Sequence, residues 1–286
     1  MNKRYSMDEL LNISIAREIR DYENVVIGAG IPVTACVLAK GLHAKNAIIM
    51  TESGLIGFDP VVPLIGIADV HASKGFSYST DLFSIFTTHT YRGFVDSCFL
   101  GIGQVDKYGN INSTVIGDYD NFERRLPGSG GAADFMSYAK RTILTLNRGQ
   151  FVKKLDYLTS PGYLDGGDSR DNSGHFPIGS GPCTLISRKA IFKFDPVTKE
   201  MFLASTHPGI TVEEIRKDIP WELKVSPDLA ETKPPSDEEL EFMRRFNPVK
   251  SIGLKASSRL INRIRYPKLP EKGNAFLKEI RTKFFS

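Results

Sequence analysis

The run Ala47-Ile48-Ile49-Met50 stops at Thr51-Glu52-Ser53-Gly54, and this junction constrains the fold more than any other stretch. Four consecutive apolar residues between turn signals fit a strand buried on both faces, as in parallel sheets. Glu52 and a Ser-Gly turn follow at once, so the carboxylate sits at the strand's carboxyl end, where ligand sites of open α/β sheets lie. Upstream, Asn24 to Ile27 reads as a second short buried strand. Gly28-Ala29-Gly30 then turns the chain into a helix from Pro32 to Lys40, with proline in its first turn and Gly41 as its stop. Strand, helix, strand is a βαβ unit, which joins parallel strands.

Similar punctuation organises the rest of the chain. Ser6-Met7-Asp8-Glu9 is a capping box, and Leu11, Ile15 and Ile19 continue it as a helix over residues 7–20. Residues 54–78 form a long connection rich in Gly and Pro, of a length that usually serves function or a partner. Thr80 to Tyr91 predicts a helix with Leu82, Phe83 and Phe86 inward, and Phe94 to Gly101 a buried strand. Ile111 to Ile116 reads as a returning strand, Ala132 to Ala139 as a helix and Thr142 to Leu146 as a strand. From Phe151 the pattern turns to strands at Leu155–Leu158, Cys183–Ser187, Ala190–Phe194 and Met201–Ser205, with a hairpin turn at Asp195-Pro196. Thr211 opens a short helix with a second capping box. Ser226 to Ser236 carries three prolines and reads as a linker, and Asp237 to Phe246 as a last helix capped by Ser236. The expected class is α/β: an open, mostly parallel sheet with helices on both faces and a more β-rich C-terminal half.

With 286 residues, 41% hydrophobic and 24% charged, the chain can bury one large core. Its apolar runs fall short of the ~20 residues that span a bilayer. The N-terminus lacks the apolar stretch of a signal peptide, so a cytoplasmic location is expected. Cys36, Cys98 and Cys183 are odd in number and far apart, which suits reduced core thiols, and no Cys or His pair has metal-ligand spacing. Net charge is +4, but residues 250–286 hold ten Lys or Arg against two Glu, leaving 27 basic and 31 acidic residues elsewhere. The basic character therefore belongs to a C-terminal extension, residues 249–286. Without interleaved aromatics it reads as solvated or partner-docking, and neither nucleic acid nor membrane is expected as a partner.

Three further glycine-rich stretches stand out. Gly28-Ala29-Gly30-Ile31-Pro32 lies between strand and helix, where backbone amides favour an anion. It is no dinucleotide fingerprint, because Val33 occupies the third glycine's place. A tight βα turn without a ligand is its competing reading. Gly128-Ser129-Gly130-Gly131-Ala132 precedes a helix and suits an anion nest. In the stretch Gly103 to Thr114, Gln104 and Asn112 flank a buried strand and either orient a substrate carboxylate or thioester or serve as turn residues. Asp106 with Gly109 reads as a structural turn, and Tyr163 to Asp168 as a structural loop near a subunit interface, without calcium-loop spacing. The five histidines are scattered and form no triad pattern, and only His71, in the long connection, lies near Glu52. Arg92, Arg124 and Arg125 are candidate bidentate partners of a carboxylate, with a surface role as the alternative.

Taken together, Glu52-Ser53-Gly54, the stretch Gly103 to Gly117, Gly128 to Ala132 and Asp156-Tyr157-Leu158-Thr159-Ser160-Pro161-Gly162-Tyr163-Leu164-Asp165-Gly166 resemble the β subunit of the family I CoA-transferases, of the glutaconate CoA-transferase type. The likeness runs from the first helix to about residue 248 and leaves the extension uncovered. It implies a CoA-transferase fold, similar to the NagB/RpiA type, over residues 1–248. It implies Glu52 as the catalytic nucleophile, the loop of Gly28 and Gly30 beside it, and Ser129, Gly130 and Gly131 at the CoA and oxyanion site. It further implies no permanently bound cofactor, coenzyme A as a substrate held as a glutamyl thioester, a separate α subunit, and acyl-CoA and carboxylic acid substrates, the acyl group short and dicarboxylic. Relatives on the same scaffold hydrolyse acyl-CoA, open rings or decarboxylate, and they generally lack the glutamate. A non-catalytic ligand-binding domain is the third reading, but no helix-turn-helix precedes the first strand.

Overall fold

The computed structural model describes residues 4–28, 31–58, 73 and 75–246. In chain order the elements begin with α1 (Met7–Ala16), β1 (Asn24–Ile27), α2 (Ile31–Leu42), β2 (Ile48–Thr51), β3 (Leu55–Ile56), β4 (Tyr78–Ser79), α3 (Leu82–Ser84) and a π-helical turn at Ile85–Thr90. There follow β5 (Ser97–Gly101), β6 (Gln104–Val105), β7 (Ile111–Asn112), β8 (Val115–Gly117), β9 (Phe122–Arg125), α4 (Ala132–Tyr138), β10 (Arg141–Leu146) and β11 (Gln150–Phe151). The chain continues through α5 (Ser169–Asn172), β12 (Pro182–Ser187), β13 (Ala190–Phe194), β14 (Met201–Thr206), α6 (Val212–Arg216), β15 (Lys224–Glu231) and α7 (Asp237–Phe246).

Ten strands form one sheet in the order β15-β14-β13-β12-β10-β5-β1-β2-β3-β4. The middle five, β12-β10-β5-β1-β2, are parallel, and antiparallel strands flank them on both sides. Side-chain alternation assigns the two faces. Val25, Ile27, Ile49, Phe99, Ile143 and Ile186 point into a core shared with α1, α2 and α7. Val26, Met50, Cys98, Leu100, Leu144 and Leu185 point into a second core, where α4 and the π turn pack. Continuous apolar runs were needed because both faces are covered. Among the described residues no helix is long and apolar enough to cross a membrane.

Several expectations need correction. Gly41 does not stop α2: the helix runs through it to Leu42. A side chain there would collide with the ring of Phe242, so this glycine serves the packing of α7 on α2. Leu82 and Phe83 face outward, 53% and 73% exposed, while Ile85 is fully buried. The π turn explains the shift: its i→i+5 spacing brings Ile85 and Thr90 to the inner side, and Thr90 Oγ1 donates to the Ile85 carbonyl. Leu155–Leu158 forms no strand, because the Asp156 backbone and side chain bond to Gln104 and Gly117 in place of a ladder. The supposed linker holds β15, an edge strand. Its pairing skips from Val225 to Ala230, and Pro227 sits in that gap, where a missing N–H costs no ladder bond. The extension after residue 248, His71 and most of the long connection lie outside the described residues.

Both ends of the described chain meet on one face of the sheet. The capping box of α1 closes as expected, with Ser6 N donating to Glu9 and Glu9 N to Ser6 Oγ. Glu9 also accepts from Arg244 Nε at 2.7 Å, and Glu239, at the start of α7, accepts from Arg17 Nη2 at 2.6 Å. Burial alone would raise the pKa of both glutamates, but hydrogen bonds from these arginines and from the capping serines outweigh it and hold both below 4.5. Groups held down in this way stabilise the fold above their unfolded-state pKa and lose that contribution as pH falls through the folded value. The urea midpoint is therefore expected to drop on acidification between about pH 5 and pH 3. The double variant Glu9→Gln, Glu239→Gln should flatten that drop by about 1 kcal/mol or less per pair, given the exposed guanidiniums.

Candidate active site

β1 and β2 end in register, Ile27 opposite Thr51, so Gly28 and Glu52 leave the sheet side by side. The turn carrying Glu52 is locally fixed. Gly54 N donates to the Thr51 carbonyl at 3.1 Å, and the Thr51 and Ser53 hydroxyls share a hydrogen bond of 2.8 Å. Gly54 has φ of +103°, and a side chain there would strike the Thr80 carbonyl, while Thr80 N donates to the Gly54 carbonyl at 2.8 Å. Only glycine meets both demands.

From the other side, the loop before α4 closes on the carboxylate. Gly131 N donates to Glu52 Oε2 at 3.3 Å. A Cβ at Gly131 would lie 2.7 Å from that oxygen and equally close to the rings of Phe86 and Phe135. A Cβ at Gly130 would come within 4.0 Å of Oε1. The loop is anchored at its start, where Gly128 N donates to the Ser113 carbonyl and Ser113 Oγ to the Gly128 carbonyl.

Behind it, Arg170 ties down the far end of α4. This arginine is 1% exposed and donates to the carbonyls of Met136 and Ser137 at 2.9 Å, and to those of Pro161 and Gly162. Burial lowers its pKa to about 10, so it remains a cation at neutral pH. Carbonyls at a helix C-terminus are favourable partners for a cation.

Gly28, Glu52, Ser129, Gly130 and Gly131 all line one cleft of about 780 Å³. That volume is within the usual range for small-molecule sites. Glu52 is half-buried, and among the described residues no cation pairs with it. It neither points away from the cleft nor is held in an arginine clamp. Arg124, Arg125 and Arg148 line the same cleft, in which Glu52 is the only acidic residue among those described. Cys98 also borders it, but burial pushes its thiol up to about 12, so it offers no thiolate. What remains is an accessible carboxylate, a neighbouring backbone N–H donor and a cationic rim.

A model of the coenzyme A transferase family matches residues 9–218. The chain belongs to the coenzyme A transferase family. It is 34% identical over 242 residues to the β subunit of the 3-oxoadipate CoA-transferase of Pseudomonas knackmussii, covering 84% of this chain and 92% of that one. It is also 34% identical over 227 residues to the β subunit of the glutaconate CoA-transferase of Acidaminococcus fermentans, covering 78% and 85%. The crystal structure of glutaconate coenzyme A-transferase from Acidaminococcus fermentans superposes with a TM-score of 0.76 at 31% identity, over 85% of this chain and 95% of the matched chain.

The sequence candidates distribute unevenly around this transferase-family cleft. Gly30 lies outside the described residues. Gln104 and Asn112 do not line the cleft. Both are buried, and Asn112 Nδ2 donates to Gln104 Oε1 at 2.7 Å while Gln104 Nε2 donates to Asp156 at 2.7 Å. Asp106 makes the expected turn, accepting from Tyr108 N and Asn110 N. His207 is a buried structural residue between Thr232 and the Ser187 carbonyl. Cys36, Cys98 and Cys183 are all free thiols. Among the described residues no group of His, Cys, Asp and Glu could hold a metal. Arg92 stands apart from the cleft, whereas Arg148 belongs to it and was not anticipated. Its signal was available: Asn147-Arg148-Gly149 directly follows the strand ending at Leu146, the same relation that singled out Glu52.

Gly131 has an ordinary backbone conformation, φ −81°, so Gly131→Ala tests contact alone. The added methyl should push Glu52 aside and lower kcat by about 100-fold, the usual penalty for a displacement of about 1 Å. The melting temperature should fall by only a few degrees. Turnover assays beside thermal melts check both outcomes.

Proposed function

We propose that this chain is the β subunit of a heteromeric CoA-transferase and that Glu52 is its nucleophile. The carrying observation is the unpaired Glu52 carboxylate at the end of a central parallel strand, inside the cleft and against the Gly131 N–H. Its carboxylate oxygen attacks the thioester carbonyl of an acyl-CoA, and the C–S bond breaks to give a mixed anhydride and CoA thiolate. The thiolate attacks the Glu52 carbonyl, releasing the first carboxylate and leaving a glutamyl-CoA thioester. An acceptor carboxylate then runs the two steps in reverse, so CoA moves without net hydrolysis. Each step passes through a tetrahedral oxyanion. Gly131 N–H and its loop neighbours at Ser129 and Gly130 are placed to donate to it, each such donor being worth about 3 kcal/mol.

Two further observations support the finer parts of this reading. The surface beside the Glu52 turn exposes Phe76, Tyr78, Leu82 and Phe83, between 41% and 73%. A patch of that kind suits a permanent partner, and it is assigned here to a separate α subunit. The relatives are named for glutaconate and 3-oxoadipate, both short dicarboxylic acids, and the cleft's three arginines match an acyl group with a second carboxylate.

The test uses the chain co-purified with its partner subunit. Incubation with glutaryl-CoA followed by borohydride should give a mass adduct on the peptide carrying Glu52. Glu52→Ala should lower kcat by more than about 10⁴-fold, as nucleophile deletions do. Normal turnover in that variant would falsify the assignment. Steady release of free CoA with no acceptor acid present would identify a hydrolase instead.

A further inference from the structure

A second recess adjoins the first, and the Gly128–Ser129 loop together with Arg125, Leu126 and Pro127 forms the shared wall. Tyr119 and Tyr157 line its far side. Their rings stack at 5.3 Å with an interplanar angle of 27°, yet they remain 48% and 38% exposed. The Arg125 guanidinium lies 4.9 Å from the centroid of Tyr119, and among the described residues no carboxylate pairs with it. An exposed aromatic platform beside an unpaired guanidinium matches a planar base attached to phosphate.

The platform is held from beneath by buried polar groups. Asp156, next to Tyr157, accepts from Gln104 Nε2 at 2.7 Å and Gly117 N at 3.0 Å, and its own N–H donates to Gln104 Oε1. Thr159, two residues further, has its N–H on the Ile111 carbonyl, its Oγ1 on the Thr114 hydroxyl and Ser113 N donating to it. Asn112 Oδ1 accepts from Thr114 N and Val115 N. Gln104 and Asn112 are 2% and 0% exposed, so this network is shielded from water and rigid. A solvated surface loop needs no such foundation.

We propose that this recess is the subsite for the nucleotide end of the CoA substrate: the adenine stacks on the Tyr119–Tyr157 platform and Arg125 engages a phosphate. The proposal rests on the transferase reading above. CoA is a long molecule with a thiol at one end and a phosphorylated adenosine at the other. If the sulfur works at Glu52, the nucleotide must rest on a surface continuous with that cleft, and the Gly128–Ser129 loop provides the continuity. Gln104 and Asn112 are then positioning residues for this subsite and do not touch the acyl group.

Adenosine 3′-phosphate 5′-diphosphate carries the whole nucleotide end without the pantetheine arm, and it is the probe. Calorimetry on the co-purified complex should show binding that weakens at least tenfold in Tyr157→Ala and in Arg125→Gln. Tyr157→Phe, which keeps the ring, should restore it, and Glu52→Ala should leave it unchanged. In turnover, Tyr157→Ala should raise KM for glutaryl-CoA at least tenfold while leaving kcat/KM for glutaryl-pantetheine, which lacks the nucleotide, at the wild-type value. Equal affinity of wild type and Tyr157→Ala for the probe overturns the subsite. So does loss of the partner subunit in that variant with probe binding retained, which would make the platform a protein interface. Failure of the wild-type complex to bind CoA at all overturns the transferase reading itself and is read separately.

Discussion

The closest approach in the cleft is between a carboxylate oxygen and a backbone amide that belong to residues 79 positions apart. Glu52 arrives on the end of β2 and Gly131 on the start of α4, and they meet at 3.3 Å because position 131 carries no side chain. Both approaches are fixed from behind. Gly54 lets the Glu52 turn seat itself on Thr80, while Arg170 holds the opposite end of α4. Site geometry thus depends on two glycines in front and one buried cation at the rear, all supported by regular elements.

Charge follows the same division of labour. The cations buried or paired within the fold, such as Arg170 and Arg141, serve architecture: Arg141 lies against Glu23 at 2.8 Å and reaches the Glu18 carbonyl. Those lining the cleft, Arg124, Arg125 and Arg148, have no carboxylate partner among the described residues. Because low-dielectric walls focus such charge, a cleft of this kind concentrates anionic ligands near the one carboxylate it contains. CoA esters and carboxylic acids are such ligands.

Local rules carried much of the fold. Both capping boxes, the buried runs of the central strands and the glycine loop before α4 are set by nearest neighbours in sequence, and each was legible there. The failures share a different cause. Gly41 reads as a helix stop until Phe242, 201 positions away, comes to rest on it. Leu82 and Phe83 read as core because helical periodicity is blind to a π turn. Gln104 and Asn112 were recognised as unusual polar residues, but their partner Asp156 is distant in sequence, so a supporting network could not be told from a ligand contact. Pro227 argued for a linker because an edge position cannot be seen before the sheet is assembled.

One arrangement has a bearing on how the molecule can be extended or engineered. Arg4 pairs with Asp237 at 2.7 Å, and Arg244 donates to the Arg4 carbonyl, so α1 and α7 bring the first and last described residues together. They do so on the helical face shared with α2, whereas α4 and its glycine loop pack across the sheet. A tether, tag or fused domain joined at either end would therefore depart from the back of the molecule and leave the mouth of the cleft clear.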